Sequence, residues 1–197
     1  CYVAARSRFD KMRGPDSERY HLILLCKNMT GYRNLIAMVS KAWTEGFYTK
    51  PRIDRELLQQ YHEGLICLSG CLAGEIPQAI LKGNTEEARS LAVWYKSIFG
   101  DDFYFEIMNH NCQVPGQPNT VFEEQQRVNP VLYALSEELG IKCVATNDCH
   151  FVKKEDGPAH DLFICINTAS KLTDAGRLHY TQQEYMKSGD EMAAINY

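Results

Sequence analysis

One stretch decides how the chain folds and what it could bind: Val144-Ala-Thr-Asn-Asp148-Cys-His150, in which an apolar run ends in two metal-binding side chains. Such a run is typical of a buried strand, along which side chains alternate between the two faces. Asp148 and His150 are therefore expected to point the same way, with Cα atoms about 6.6 Å apart. That spacing allows both to serve one metal or a pair of metals. The alternative is that Asp148 caps a helix and His150 is an ordinary hydrogen-bonded residue.

The composition is that of an ordinary globular protein. With 197 residues, 45% of them hydrophobic and 23% charged, the chain is long enough for one sizeable domain or two small ones. A formal net charge of −4 gives no sign of a nucleic-acid or membrane surface, so a polyanion would have to be held locally, by metals or a few basic residues. No apolar span approaches the length of a membrane helix, and no signal peptide is visible.

The eight cysteines are scattered along the chain and include no Cys-x-x-Cys pair of zinc-finger spacing. They are interpreted mostly as reduced thiols, which predicts a cytoplasmic protein. Cys1 stands where a complete chain would start with methionine. The sequence is therefore expected to be a piece of a longer protein.

Short apolar runs alternate with longer amphipathic segments, which is the pattern of a parallel α/β sheet buried on both faces. Four or five strands are too few for the usual eight-stranded βα barrel, so either the sheet is open or strands are missing. In both architectures ligands gather just beyond the strand ends, where Cys71, Asp148 and His150 lie. The predicted strands cover residues 20–26, 64–69, 102–108 and 142–146, with a possible fifth at 2–4.

Helices are expected between these strands. Thr30 is a plausible N-cap for the first of them, and Pro130 should kink its helix or mark that helix's first turn. In the last one, over residues 156–168, the apolar side chains include Leu162, Phe163 and Ile166. The remaining helices are predicted at residues 30–43, 54–61 and 75–81, and from a cap at Asn84 or Thr85.

Long parts of the chain resemble the polymerase and histidinol phosphatase (PHP) domain at the N-terminus of bacterial replicative DNA polymerase III alpha subunits of the DnaE type. The resemblance covers nearly the whole chain, in order, with several long motifs. These motifs are Tyr20-His21-Leu-Ile-Leu-Leu-Cys-Lys-Asn-x-x-Gly31-Tyr-Arg-Asn-Leu, Ser40-Lys-Ala-x-x-Glu-Gly46-Phe-Tyr, Gly64-Leu-Ile-x-Leu-Ser-Gly-Cys71-Leu-Ala-Gly74-Glu-Ile, Val144-Ala-Thr-Asn-Asp148-x-His150 and Tyr185-x-Lys-Ser.

The fold that this resemblance implies is a distorted, TIM-like, seven-stranded βα barrel. The chain is expected to lack the N-terminal strands of that barrel. Residues 1–170 would form the C-terminal part of the PHP barrel, and residues 171–197 would be a tail that connects towards the polymerase core. The isolated piece is expected to be marginally folded and inactive, because its missing strands would leave an apolar face exposed.

The resemblance also implies a metal centre at the strand ends. In the family the ligands are a His-x-His, an Asp, a second His, a Glu, a further His, a Cys or His, and a closing Asp-x-His. His21 matches the further His, Cys71 matches the Cys, and Asp148 with His150 match the closing pair. The preceding ligands would stand upstream of Cys1. Asp148 and His150 are the residues expected to act in catalysis.

Two functions follow from the resemblance. The domain could be a metal-dependent phosphoesterase that removes 3′-terminal nucleotides in proofreading, with zinc or manganese as its metal and magnesium serving the parent polymerase. It could instead be an inactive platform that binds a separate proofreading subunit and supports the polymerase. The implied partners are DNA, the sliding clamp and a proofreading subunit, with no membrane. A free-standing phosphatase of small phosphate esters is a third possibility, which the polymerase-type motifs disfavour.

Several other residues have two interpretations. His160 could orient a metal ligand by hydrogen bonding, or it could be a helix-surface histidine. Arg6 and Arg8 could hold a phosphate, or they could be ordinary surface charges. Three further histidines lie in polar contexts and are predicted to be solvated: His62, His110 and His179.

Overall fold

The computed structural model describes residues 1–114, 119–195 and 197. The chain divides into two compact units. Unit 1 contains residues 1–106 and 130–144, and unit 2 contains residues 107–129 and 145–197. A polar loop predicted over residues 110–119 includes positions 115–118, which lie outside the described residues.

Helices and strands alternate along the described residues, so the predicted α/β class is confirmed. The strands are β1 (Tyr2–Ala4), β2 (Arg19–His21), β3 (Ile23–Cys26), β4 (Arg52–Ile53), β5 (Leu65–Leu68), β6 (Phe103–Ile107) and β7 (Lys142–Ala145). The α-helices are α1 (Met29–Thr44), α2 (Arg55–Tyr61), α3 (Glu75–Leu81), α4 (Thr85–Phe99), α5 (Thr120–Leu139), α6 (Gly157–Thr168) and α7 (Gly189–Ala193). Among the described residues, no helix has both the length and the apolar character needed to cross a bilayer.

Unit 1 is built on two sheets. The first has the strand order β2-β1-β4, in which β1 runs antiparallel to β2 and parallel to β4. The second has the order β3-β5-β6-β7, in which β3 is antiparallel and β6 parallel to β5. These sheets confirm the mixed α/β architecture, while the barrel that the family resemblance implies stays a prediction.

The prediction of one continuous strand over residues 20–26 is wrong, and the difference affects the position of His21. It is broken at Leu22, so that β2 pairs with β1 while β3 pairs with β5 in the other sheet. Leu22 is almost fully buried, and its N–H donates to the carbonyl of Cys1. Both halves are antiparallel to their partners, so the expected purely parallel pattern does not hold here. The break makes His21 the last residue of a strand.

Side-chain caps set the starts of the helices in unit 1. The N-cap of α1 is Asn28, whose side chain accepts from the N–H of Gly31 at 3.0 Å, so the prediction of Thr30 as the cap is wrong. Asp54 caps α2 and Asn84 caps α4. An Asx side chain does this better than threonine because its oxygen reaches the free N–H groups of the first turn with less steric restriction.

The glycines of the Gly31 and Gly64 motifs face each other. A Cβ atom on Gly31 would lie 1.8 Å from the carbonyl oxygen of Gly64, so no larger residue fits without moving the backbone. Gly64 itself has φ of 75°, a conformation that favours glycine. This contact packs the start of α1 directly against the start of β5.

Aromatic and aliphatic side chains fill the core of unit 1. Tyr95 on α4 stacks on Phe103 with ring centroids 5.3 Å apart, and Phe103 meets Phe105 edge to face. Leu57 and Leu65 are also fully buried. Rings of this size bury the most apolar surface per residue, and their geometry fixes β5 and β6 against the helices.

Helices α6 and α5 each have a feature that the sequence pattern did not specify. Three of the apolar side chains of α6, those of Leu162, Phe163 and Ile166, are exposed, at 50%, 59% and 69%, while Ile164 and Cys165 are buried. Pro130 lies inside α5, so the prediction that it marks the first turn of its helix is wrong.

Candidate metal centre

The first pair of predicted ligands meets in unit 1. His21 is the last residue of β2, and its main-chain N–H donates to the carbonyl of Ala73 at 2.9 Å. Cys71 lies in the turn that precedes α3, a turn closed by the N–H of Gly74 donating to the Cys71 carbonyl at 2.8 Å. The thiol Sγ of Cys71 and Nδ1 of His21 are 3.6 Å apart. Two residues fifty positions apart in sequence are thus brought into direct contact.

This separation fits a shared metal. Zinc binds thiolate sulfur at about 2.3 Å and imidazole nitrogen at about 2.0–2.1 Å, so a tetrahedral ion holding both atoms would set them about 3.6 Å apart. Cys71 is partly accessible, whereas Cys67 on β5 is buried, and burial raises the pKa of the Cys67 thiol well above its ordinary value. Cys67 is therefore held as the neutral thiol, and Cys71 is the better candidate for a thiolate ligand.

A buried carboxylate supports the turn that carries Cys71. The Oε2 atom of Glu106 on β6 accepts from the N–H of Gly70 at 2.7 Å, and the Glu106 N–H donates to Oγ of Ser69 at 2.9 Å. Glu106 is only 6% exposed. Glu106 was not among the predicted site residues, although an acidic residue inside the apolar run of β6 is the signal that could have found it.

The second pair of predicted ligands lies in unit 2, on the loop after β7. The strand ends at Ala145, and Asp148 has φ of 41°, in the left-handed region. The expectation that Asp148 and His150 alternate along a strand is therefore wrong. Left-handed backbone is costly for most residues and is tolerated best by glycine, asparagine and aspartate. Such strain persists only where the surrounding structure enforces it.

The ring of His150 is oriented by a hydrogen bond to its own loop. Its Nδ1 atom lies 2.6 Å from the carbonyl oxygen of Asp148. A carbonyl can only accept, so Nδ1 carries the proton and the lone pair of the neutral ring is on Nε2. Ligating histidines commonly donate their other ring N–H to a backbone carbonyl in this way. The ring is exposed and lies beside Tyr180, with centroids 4.4 Å apart.

The loop is anchored on both sides of Asp148. Asn147 donates from Nδ2 to the carbonyls of Gln183 and Tyr185, at 2.8 and 2.7 Å. The N–H of His150 donates to the carbonyl of Glu184 at 2.8 Å. These bonds fix Asp148 in its unusual backbone conformation. The ring of His160, on α6, lies 6.1 Å from the ring of His150, centroid to centroid, and both interpretations of His160 stay predictions.

His110 is a buried member of the same network, so the prediction that it is solvated is wrong. It is 3% exposed, and its Nε2–H donates to the carbonyl of Asn147 at 3.2 Å. Gln125 completes the arrangement. Its Nε2 donates to the ring Nδ1 of His110 at 3.1 Å, and its Oε1 accepts from the main-chain N–H of His110 at 2.7 Å. Burial lowers the pKa of His110, and the carboxylates of Glu184 and Asp148 oppose this only in part.

The stability of unit 2 is expected to fall as the pH drops below about 6.5, the ordinary pKa of histidine. Below this pH the unfolded chain binds a proton at His110, whereas the folded chain does not, because burial lowers the pKa of His110. The free energy of unfolding therefore falls as the pH drops, by up to about 1.4 kcal/mol per pH unit for one proton. Thermal unfolding in chelator at pH 7.5 and 5.5 measures this. His110→Gln should reduce the change in melting temperature between the two pH values, and the control His62→Gln should not. An equal change for His110→Gln and the unsubstituted chain would contradict this expectation.

The two N-terminal arginines are engaged in ion pairs. Arg8 is 6% exposed and contacts Asp54 at 3.0 Å and Glu45 at 2.8 Å; burial opposes its charge, but these carboxylates raise its pKa. Arg6 donates twice to Asp16, each at 2.9 Å. The prediction of Arg8 as a surface charge is wrong, and its guanidinium, which is already paired with carboxylates, does not suit a phosphate.

Among their described residues, neither unit by itself holds three or more His, Cys, Asp or Glu side chains grouped closely enough to bind a metal. Each unit instead presents two of the predicted ligands: His21 with Cys71 in unit 1, and Asp148 with His150 in unit 2. Thiolate and imidazole suit zinc, while a carboxylate also suits manganese and magnesium.

The comparison with known families decides what these motifs belong to. The family model for the PHP domain matches residues 1–110, more than half of the chain. The chain belongs to the PHP domain family. This confirms the resemblance found in the sequence and, with it, the expectation that His21 and Cys71 lie in a PHP segment.

Curated relatives of this PHP domain are alpha subunits of DNA polymerase III. The one from Treponema pallidum (strain Nichols) is 45% identical over 197 residues, which cover 98% of this chain and 16% of that protein. The one from Thermus aquaticus is 46% identical, covering 99% of the chain and 15% of the protein. That from Deinococcus radiodurans is 43% identical over 94% of the chain and 13% of the protein. The chain thus spans about one sixth of the length of these relatives or less.

Proposed function

We propose that the chain is the PHP segment of a bacterial replicative DNA polymerase III alpha subunit, and that this segment is a metal-dependent phosphoesterase that removes 3′-terminal nucleotides in proofreading. The observation that carries the proposal is the 3.6 Å contact between Cys71 and His21. Two soft-metal ligand types meet there at the separation that zinc coordination requires.

His21, Cys71, Asp148 and His150 are the proposed ligands, and zinc or manganese is the proposed metal. When bound, such a metal supplies an activated water and stabilises negative charge on the phosphate oxygens. The chain's own residues prepare the site for it. Cys71 contributes the thiolate, and the hydrogen bond from His150 Nδ1 to the Asp148 carbonyl keeps Nε2 available.

Asp148 and His150 are the proposed catalytic residues. The Asn147 bonds hold the strained loop that carries Asp148, so the backbone at this position needs little reorganisation when substrate binds. The partners in this proposal are DNA, the sliding clamp and a proofreading subunit, and the compartment is the cytoplasm. Nucleotide addition, with magnesium, belongs to other parts of the parent protein. The isolated piece is expected to be inactive.

A second candidate is a structural platform that binds a separate proofreading subunit. The observation that favours it is the exposed apolar face of α6, where Leu162, Phe163 and Ile166 are each at least half exposed. Exposed apolar residues in a group are typical of a surface that another polypeptide covers. The assignment of residues 171–197 as a tail towards the polymerase core remains a proposal as well.

Metal removal tests the function directly. The intact parent polypeptide is dialysed against a chelator and assayed for release of 3′-terminal nucleotides from single-stranded DNA. We expect no release without metal and recovery with zinc or manganese, while nucleotide addition requires only magnesium. Release that persists in chelator would contradict the proposal. The platform would be favoured if no metal restores nucleotide release and if substitution of Phe163 abolishes binding of the proofreading subunit.

A further inference from the structure

Unit 2 contains a cavity of about 370 Å³ whose lining is rich in carboxamides. Five of its seven lining residues are Asn or Gln, among them Gln126 on α5 and Gln183 in the loop before α7, and the other two are Phe122 and Ile195. The size is that of a small-molecule site, for which volumes of about 300–1,000 Å³ are usual. The lining residues carry no formal charge.

We propose that this cavity binds a nucleobase. A carboxamide offers a donor and an acceptor side by side, which is the pattern that pairs with the edge of a base. Phe122, half-buried on α5, offers a ring on which a base can stack. A neutral, planar group with several donors and acceptors fits such a lining, whereas a phosphate would require cations there.

Two of the five carboxamides that line the cavity, those of Gln126 and Gln183, are available for a ligand, whereas Asn109, Asn111 and Gln113 already have partners. Within the described parts of the chain, no hydrogen bond engages the side-chain amides of Gln126 or Gln183. Gln183 uses its main-chain carbonyl to accept from Asn147 and Lys187. Its side chain therefore remains for the cavity, while its backbone is fixed.

The same residue connects the cavity to the proposed catalytic loop. Gln183 accepts from Asn147, the residue immediately before Asp148. A base held in the cavity would therefore contact a residue that is hydrogen-bonded to that loop. The choice of a nucleic-acid base as ligand rests on the proposed function, and the inference deepens that function by adding a base-recognition site in unit 2.

The test uses a single-stranded oligodeoxynucleotide whose 3′-terminal base is a photoreactive thymine analogue, bound to the intact parent polypeptide in chelator so that no hydrolysis takes place. We expect crosslinks, mapped by mass spectrometry, at Phe122, Gln126 or Gln183. Anisotropy measurements should show about tenfold weaker binding of the same strand with an abasic 3′ end. Crosslinks confined to other parts of the polypeptide would overturn the inference.

Variants make the test specific. Phe122→Leu keeps an apolar side chain but removes the stacking ring, and Gln126→Ala removes one amide. Each variant should weaken the binding of the base-bearing strand several-fold and leave the binding of the abasic strand unchanged. The control is Glu123→Asp, at an exposed position on the same helix, which should change the binding of neither strand. Equal loss for both strands would overturn the proposal. Base-dependent binding without any metal-dependent hydrolysis would instead refute the proposed function and leave the cavity's role intact.

Discussion

Asp148→Asn in the intact parent polypeptide is expected to lower the release of 3′-terminal nucleotides at least about a hundredfold, because losing a direct ligand should cost more than the 10–100-fold typical of outer-shell partners. Nucleotide addition should be unchanged. The substitution removes a charge and keeps the shape of the side chain. Asparagine tolerates left-handed backbone as well as aspartate does, so the φ of 41° at this position is no obstacle to folding.

The matched control for this variant is Asp190→Asn, an exposed aspartate of unit 2 on α7. It removes the same charge and should leave the release of nucleotides unaltered. The melting temperature of each variant, compared with that of the unsubstituted protein, separates a folding defect from a chemical one. Unchanged nucleotide release in a folded Asp148→Asn protein would show that Asp148 is not a ligand.

Cys71→Ser should lower zinc retention about a hundredfold or more, since serine is a hard, protonated and poor ligand for a soft metal. His21 would keep its place, because its N–H bond to the Ala73 carbonyl does not involve the thiol. The measurement is metal content by elemental analysis after dialysis against graded concentrations of a chelator. Nucleotide release should fall in parallel with metal content.

Cys26→Ser is the control for the thiol itself, since Cys26 is an exposed cysteine on β3 in the same unit. It should retain as much metal as the unsubstituted protein. If Cys71→Ser also retains its zinc, the contact between Cys71 and His21 is an ordinary thiol–imidazole hydrogen bond and not half of a metal site.

Most helices and strands could be predicted because their signals are local. The boundaries of α3 match the prediction residue for residue, since Glu75 and Leu81 delimit an unbroken apolar face. The break at Leu22 could not be predicted, because a run of apolar residues does not reveal which sheet each half will join. The exposure of Phe163 could not be predicted either, because apolar character does not specify what covers a surface.

The contact between His21 and Cys71 could not be derived from periodicity. It depends on the strand break and on the turn at Gly70, two features set by tertiary packing, and only the family resemblance pointed to it. His110 was missed because its polar sequence neighbours suggested solvent. Its burial depends on two partners distant in sequence, Gln125 and the carbonyl of Asn147. Buried polar networks of this kind are visible only once their partners are placed.

The most direct test of the metal assignment is anomalous diffraction at the zinc edge from crystals of the intact parent polypeptide. We predict metal density about 2.3 Å from Sγ of Cys71, and metal density about 2.0–2.2 Å from Asp148 or His150. Zinc density that contacts none of the four proposed ligands, or Cys71 bound to no metal while Asp148 and His150 hold one, would contradict the assignment.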